Sequence, residues 1–381
     1  MMLSDITKYL LQNQGRMVQE LLTLAGIDSP SSSKSCTDRA ISHLAERFRS
    51  LDVSVERLAQ KDCGDFLRVS MGPVSNTQSR PVVLLCHADT VWPEGEAKKR
   101  PPHVEDDRMM GPGVLDMKAG IVEAIFAIEA TKALSLQVKN PIVLFVNTDE
   151  EIGSKFSREI ICDQARQAKA VLVLEPSGPD GAVKSSRKGT GVFELHVRGR
   201  ASHAGADPEK GISAILELAQ TIIELYAQQR LEIGTTLNVG QVKAGIARNV
   251  VAPEAWANVD LRAYTFEELS RIDSFLKEIR PKNPEAILTV RGGIVRPPLV
   301  KTEGSEQIYQ HARQIASQLG FGLPESSSGG ASDGNFASAA GAAVLDGLGA
   351  EGGGPHAEHE FITVSSLVRR TDLLARLLHS I

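Results

Sequence analysis

The sequence predicts an α/β protein: a mostly parallel sheet with flanking helices, interrupted by a smaller α+β unit of ferredoxin-like order. Three observations predict it. Pro81–Cys86 (PVVLLC), Pro141–Val146 (PIVLFV) and Ala170–Leu174 (AVLVL) are short runs that are apolar throughout, which suits strands covered on both faces. A helical pattern over Lys118–Leu134 separates the first two runs, and strands that alternate with helices pair in parallel. From about Gly189 onward the runs alternate polar and apolar residues, as strands with one exposed face do.

Taken in order, the chain starts with an amphipathic helical pattern for which Ser4 is the expected cap. The three buried strands and the helix between the first two follow. The second style then runs Val192–Val197 (strand), Ile212–Gln228 (helix), Thr236–Val242 and Ala255–Arg262 (strands), Phe266–Ile279 (helix) and Ala286–Arg291 (strand). This β-α-β-β-α-β order is that of a ferredoxin-like sandwich. A helix at Ser305–Leu319, a Gly/Ser-rich stretch at Ser326–Gly334, a strand at Ala342–Leu345 and a C-terminal helix return the chain to the first style. The expected division is therefore 1–188 with 301–381, and 189–300 as the insertion.

Composition excludes several classes of function. The 381 residues carry 42 Lys plus Arg against 47 Asp plus Glu, a formal charge of −5, so bulk positive charge for nucleic acid is absent. No apolar run reaches the roughly 18 residues that a membrane span needs. The segment MMLSDITKYLLQNQGRM lacks the basic-then-apolar order of a signal peptide. Cys36, Cys63, Cys86 and Cys162 are scattered without a CxxC pair, which argues against a disulfide framework or a thiolate zinc site. A reducing, cytoplasmic setting fits, with Cys86 as a buried thiol.

The informative fact is where polar residues fall. Open parallel sheets bind ligands beyond the carboxyl ends of their strands. There, the three runs deliver His87 and Asp89, then Glu150 and Glu151, then Glu175. A fourth strand leads through the glycine-rich loop 347–354 to His356, and Asp116 lies in GPGVLDMKAG at the mouth of the long helix. Carboxylates converging this closely require neutralisation, and a cation supplies it. Mixed His and carboxylate donors without Cys suit Zn, Co or Mn. Five ligands exceed the three of a single catalytic zinc, which points to a bridged pair of metals. His103, His196, His311 and His379 read as surface or packing residues, and Lys98, Lys99 and Arg100 as a solvated loop.

The motifs HADTVWPEG, GPGVLDMKAG, NTDEEIGS, LEPSG, RASHAGADPEKG and GGASDGNF…GPHAEHE resemble the zinc-dependent exopeptidase family. That family holds glutamate carboxypeptidase, acetylornithine deacetylase, succinyl-diaminopimelate desuccinylase, aminoacylase and peptidase T; HADTVWPEG and GVLDMKAG most resemble the bacterial glutamate carboxypeptidases. The resemblance implies two zinc ions per subunit, with Co or Mn as substitutes. His87 and Glu175 would hold one ion, Glu151 and His356 the other, and Asp116 would bridge them. Asp89 would orient the His87 ring, and Glu150 would be the general base. It also implies a cis peptide at Asp116–Met117, and His356 with Glu360 matches the family's His-x₃-Glu spacing, which leaves His359 outside the ligand set.

The inserted unit would then be a lid and dimerisation domain, with His203 reaching a partner subunit's active site to stabilise the oxyanion. Asn249 and Arg262 match substrate-binding positions, Arg262 as a carboxylate clamp, and Gly329, Gly330 and Asp333 match the glycine-rich loop near the substrate. The implied activity is hydrolysis of an amide bond next to a free carboxylate, on a small peptide or N-acyl amino acid, releasing a C-terminal residue such as glutamate. The rivals are an N-acyl amino acid deacylase and an inactive binding homologue. Retention of Glu150 with all five ligands speaks against the last.

Overall fold

The structure is a computed structural model that describes residues 2–72 and 79–381. Its principal helices are α1 (Met2–Ala25), α2 (Lys34–Arg49), α3 (Ala119–Ala133), α4 (Arg158–Gln167), α5 (Ala214–Tyr226), α6 (Phe266–Glu278), α7 (Glu303–Gln318) and α8 (Val364–Ser380). The principal strands are β1 (Ser54–Leu58), β2 (Phe66–Met71), β3 (Val82–His87), β4 (Ile142–Asn147), β5 (Ala170–Val173), β6 (Gly189–Arg198), β7 (Thr236–Ala244), β8 (Glu254–Ala263), β9 (Ile287–Arg296) and β10 (Val344–Leu345). The first helix begins at Met2, so Ser4 lies inside it and is not its cap.

The chain divides into two compact units, one of residues 1–186, 301–328 and 332–381, the other of residues 187–300 with Gly329–Ala331. In the first, six strands pair in the order β1-β2-β4-β3-β5-β10. The run β4-β3-β5-β10 is parallel, and β2 lies antiparallel to both β4 and β1. Every residue of β3 is buried, which explains its uninterrupted apolar run. The antiparallel edge was not expected. β1 (SVERL) is exposed or half-buried along its length, so it shows no apolar run to detect.

The central helix α3 is buried at every position from Ala119 to Thr131, and a helix apolar all round belongs in a core. Gly120 permits its close approach to the sheet, since a Cβ there would stand 2.1 Å from the Leu174 carbonyl oxygen. Helix α1 adds Ile6, Leu10, Met17, Leu21 and Leu24, all fully buried at helical spacing.

Glu123 breaks the apolar run of α3. It is 0 % exposed, and neither carboxyl oxygen has a hydrogen-bond partner among the described residues. Burial pushes its carboxyl well above the usual range, against the opposing pull of the Arg370 guanidinium. The unfolded chain ionises this group above about pH 4.3, while the folded chain holds its proton. Its contribution to stability is therefore best at low pH and declines as pH rises through that unfolded value. Replacement Glu123→Met is expected to stabilise the protein by about 1–3 kcal/mol at pH 7, with the gain shrinking toward pH 4. Urea unfolding at both pH values checks this; a less stable variant at pH 7 would refute it.

In the second unit the four strands pair antiparallel in the order β7-β8-β6-β9. Helices α5 and α6 pack on one face through Leu218, Leu225, Leu269, Ile272 and Leu276 against Phe193, Leu195, Val259 and Leu261. Ser213 caps α5 and Thr265 caps α6, each accepting from a backbone N–H of the first turn. This unit takes in Gly329–Ala331, which the sequence pattern assigns to the other domain.

Among the described residues no helix is long and apolar enough to cross a membrane. All four cysteines are free thiols, and burial pushes Cys86 far up from its ordinary range.

Candidate metal centre

Strand β3 ends on His87, whose side chain is almost wholly buried. Its Nδ1 lies 3.0 Å from the Asp89 backbone carbonyl, which fixes Nδ1 as the donor and leaves Nε2 as the atom that could ligate a metal. Nε2 sits 3.2 Å from Asp116 Oδ1 and 3.5 Å from Glu175 Oε1. On the other side, His356 Nε2 lies 3.3 Å from Asp116 Oδ2 and 3.2 Å from Glu151 Oε2. The Asp116 carboxylate thus stands between two histidines, each with its own glutamate. Ligand atoms of His87, Asp116 and Glu151 all fall within 4.8 Å of one another. The Asp116–Met117 peptide is cis.

The electrostatics follow from this crowding. Burial alone would lower the His87 ring, but Asp116, Asp89 and Glu175 outweigh it and hold the imidazole well above its usual value. Asp116 and Glu151 push His356 up to about 10. Burial opposes ionisation of Asp116, yet the two imidazoles, His356 foremost, hold its carboxyl below the ordinary range. Burial lifts Glu151, whose Oε1 has no hydrogen-bond partner among the described residues. Two imidazoles facing several buried carboxylates, with one carboxyl oxygen unsatisfied, fit a bound divalent metal of borderline softness.

Supporting residues hold the ligands from behind. Asp89 is fully buried, and its carboxylate accepts from Ser31 Oγ at 2.6 Å and from the backbone N–H groups of Glu150 and Glu151 at 3.3 and 3.1 Å. It therefore steadies the Glu150–Glu151 turn, while the Asp89 backbone carbonyl and Oδ1, at 3.0 and 3.4 Å from Nδ1, hold the His87 ring. Glu150 and Glu151 open a short 3₁₀ turn, Glu150–Ile152, so their side chains diverge by about 120°. One can ligate while the other does not.

Asp333, expected against substrate, is 5 % exposed; it accepts from Asn147 Nδ2 at 2.6 Å and from Ser154 Oγ. It braces the loop that carries the two glutamates.

In the second unit His203 is exposed, and its Nδ1 accepts from the backbone N–H groups of Gly205 and Ala206 at 3.1 and 3.0 Å. The neutral ring therefore carries its proton on Nε2. Asn249 is exposed. Arg262 pairs with Asp260 through Nε at 2.9 Å and donates from Nη1 to the Gly329 carbonyl at 3.2 Å, while the Gly330 carbonyl accepts from Arg187 at 3.3 Å. Glu360 is the residue that motif reading left without a task, although its spacing from His356 was visible.

Comparison with known proteins decides the family. Residues 83–380 match the family described as peptidase family M20/M25/M40. The chain belongs to this family. Among relatives of this M20 chain, carboxypeptidase G2 of Pseudomonas sp. (strain RS-16) is 30% identical over 316 residues, covering 81% of this chain and 75% of that protein. Aminopeptidase PepT from Bacillus cereus has the same fold, with a TM-score of 0.79 at 23% identity over 96% of this chain and 98% of that one. So does the Bacillus subtilis YXEP protein, a dinuclear metal binding peptidase of the M20 family, with a TM-score of 0.73 at 13% identity over 96% and 97%. The M20 fold thus accounts for the mixed α/β architecture and its mostly parallel sheet.

Proposed function

We propose that this M20 protein is a two-metal hydrolase that cleaves an amide bond next to a free carboxylate and releases a C-terminal amino acid such as glutamate. One observation carries the reading: the Asp116 carboxylate stands between two His–Glu pairs, His87 with Glu175 and His356 with Glu151. His87 and Glu175 would hold one zinc ion, Glu151 and His356 the second, and Asp116 both; Co or Mn would substitute. When bound, the metals would supply Lewis acidity for the scissile carbonyl and the attacking water. Glu150 takes the proton of that water and hands it to the leaving amine. His203 donates from Nε2 to the developing oxyanion. Arg262, with Asn249 and the Gly329–Gly330 backbone, binds the substrate carboxylate, exchanging its present Asp260 partner for it.

The name of carboxypeptidase G2 supports the release of a C-terminal residue. A homodimer through the 187–300 unit is supported by the outer edge of β7, unpaired among the described residues, and by exposed Ile215, Leu216 and Ile223 on α5, at 48%, 57% and 70%. The free thiols support a cytoplasmic setting.

A hydrolysis panel tests the activity. Zinc-loaded and chelated protein would be offered folate-like N-acyl glutamates and N-acetyl amino acids. Turnover of the acyl glutamates, abolished by the chelator and restored by zinc, is expected. Turnover of N-acetyl amino acids alone would make the protein a deacylase. No turnover at all would favour a binding homologue.

A further inference from the structure

Glu360 is 1 % exposed and lies in the segment that carries His356. Its Oε1 accepts from the backbone N–H groups of Leu115 and Asp116 at 2.9 and 3.0 Å. Its Oε2 accepts from the Gly113 N–H at 2.9 Å and from Trp92 Nε1 at 3.2 Å. One carboxylate therefore satisfies four donors, three of them in the loop that ends on the shared metal ligand. Arg100 closes this arrangement from outside. Its guanidinium lies 4.1 Å from the centre of the Trp92 ring and donates to the Glu358 carbonyl at 2.7 Å. Arg100 is thus no solvated loop residue, unlike the exposed Lys98 and Lys99 beside it.

We propose that Glu360 is a positioning residue for the metal centre, locking the Asp116 loop in register with the segment that delivers His356. The inference rests on the metal-centre reading above. The physical reason is the mismatch between what the loop offers and what else could meet it. Three backbone N–H groups point inward from residues 113, 115 and 116, and buried donors need acceptors. Only an ionised carboxylate accepts from all of them and from an indole as well. Because Glu360 follows His356 by four residues, holding the loop also sets Asp116 Oδ2 against His356 Nε2. A glutamine has one acceptor oxygen and would turn its NH₂ group against two of the four donors.

The test is a competitive chelator titration of the metal-free full chain with zinc, alongside thermal melting of the same metal-free protein. Wild type is expected to bind two ions. Glu360→Gln is expected to melt near wild type without metal, yet bind at least one ion about 10–100-fold more weakly. Trp92→Phe removes one donor and leaves the backbone three, so a smaller weakening, on the order of threefold, is expected. Wild-type affinity in a folded Glu360→Gln would overturn the proposal while leaving the metal centre intact. Should Glu360→Gln fail to fold, Trp92→Phe decides, and unchanged affinity there overturns it. A wild type that binds no zinc would instead remove the metal-centre reading on which the proposal stands.

Discussion

Glu150→Gln is expected to keep both metals and to lose about 10²–10⁴ in kcat. The amide has nearly the size of the carboxylate but cannot take a proton from water or return one to a leaving amine. The backbone around it should not move, because the N–H groups of residues 150 and 151 are both held by the buried Asp89 carboxylate. Glu151→Gln makes the contrast. Its carboxylate faces His356 at 3.2 Å, so that change is expected to weaken one metal site before it touches the chemistry. Metal content by elemental analysis, with kcat on the same samples, separates the two. Near-normal kcat in Glu150→Gln would show that the proton is handled elsewhere.

Subunit mixing is expected to restore activity from two inactive parents. His203→Ala should lose about 10²–10³ in kcat, as removal of an oxyanion donor does. The donor is well defined: Nδ1 is occupied as an acceptor by its own loop, so Nε2–H is the group left to offer. His203 is not needed as a cap for α5, because Ser213 serves there. If His203 acts across a dimer interface, each mixed dimer of His203→Ala and Glu150→Gln holds one site with both defects and one with neither. Equal mixing then places about a quarter of all sites in an intact state. No recovery, with exchange shown by native mass spectrometry, would place His203 in its own subunit or outside catalysis.

The elements most legible in the sequence were those whose signal is local. PVVLLC, PIVLFV and AVLVL are apolar throughout because β3, β4 and β5 sit in the middle of a sheet, and the polar residues after them mark the carboxyl ends where His87, Glu151 and Glu175 gather. The alternation of VFELHV is the burial pattern of β6, where Phe193, Leu195 and Val197 face α5 and α6 and the residues between them do not. The edge strand β1 was missed for the opposite reason. With no face wholly buried, its sequence carries no apolar period.

The sequence by itself determined which side chains are available at the sheet's rim and what chemistry two histidines and several carboxylates can support. That is composition and periodicity, and both are properties of neighbours along the chain. The pairing of Glu175 with His87 and of Glu151 with His356 came from the resemblance of the motifs and not from composition or periodicity; the tertiary structure brings those atoms to 3.2–3.5 Å with Asp116 between them. It also turned Asp333 inward to brace Asn147 and Ser154, and brought Gly329–Ala331 into the second unit. The clearest case is Glu360, which takes the backbone N–H of Asp116 across a sequence separation of 244 residues. A donor left open in one loop has no bearing on local pattern elsewhere, so its acceptor is settled only when the chain has folded and every buried N–H must find a partner.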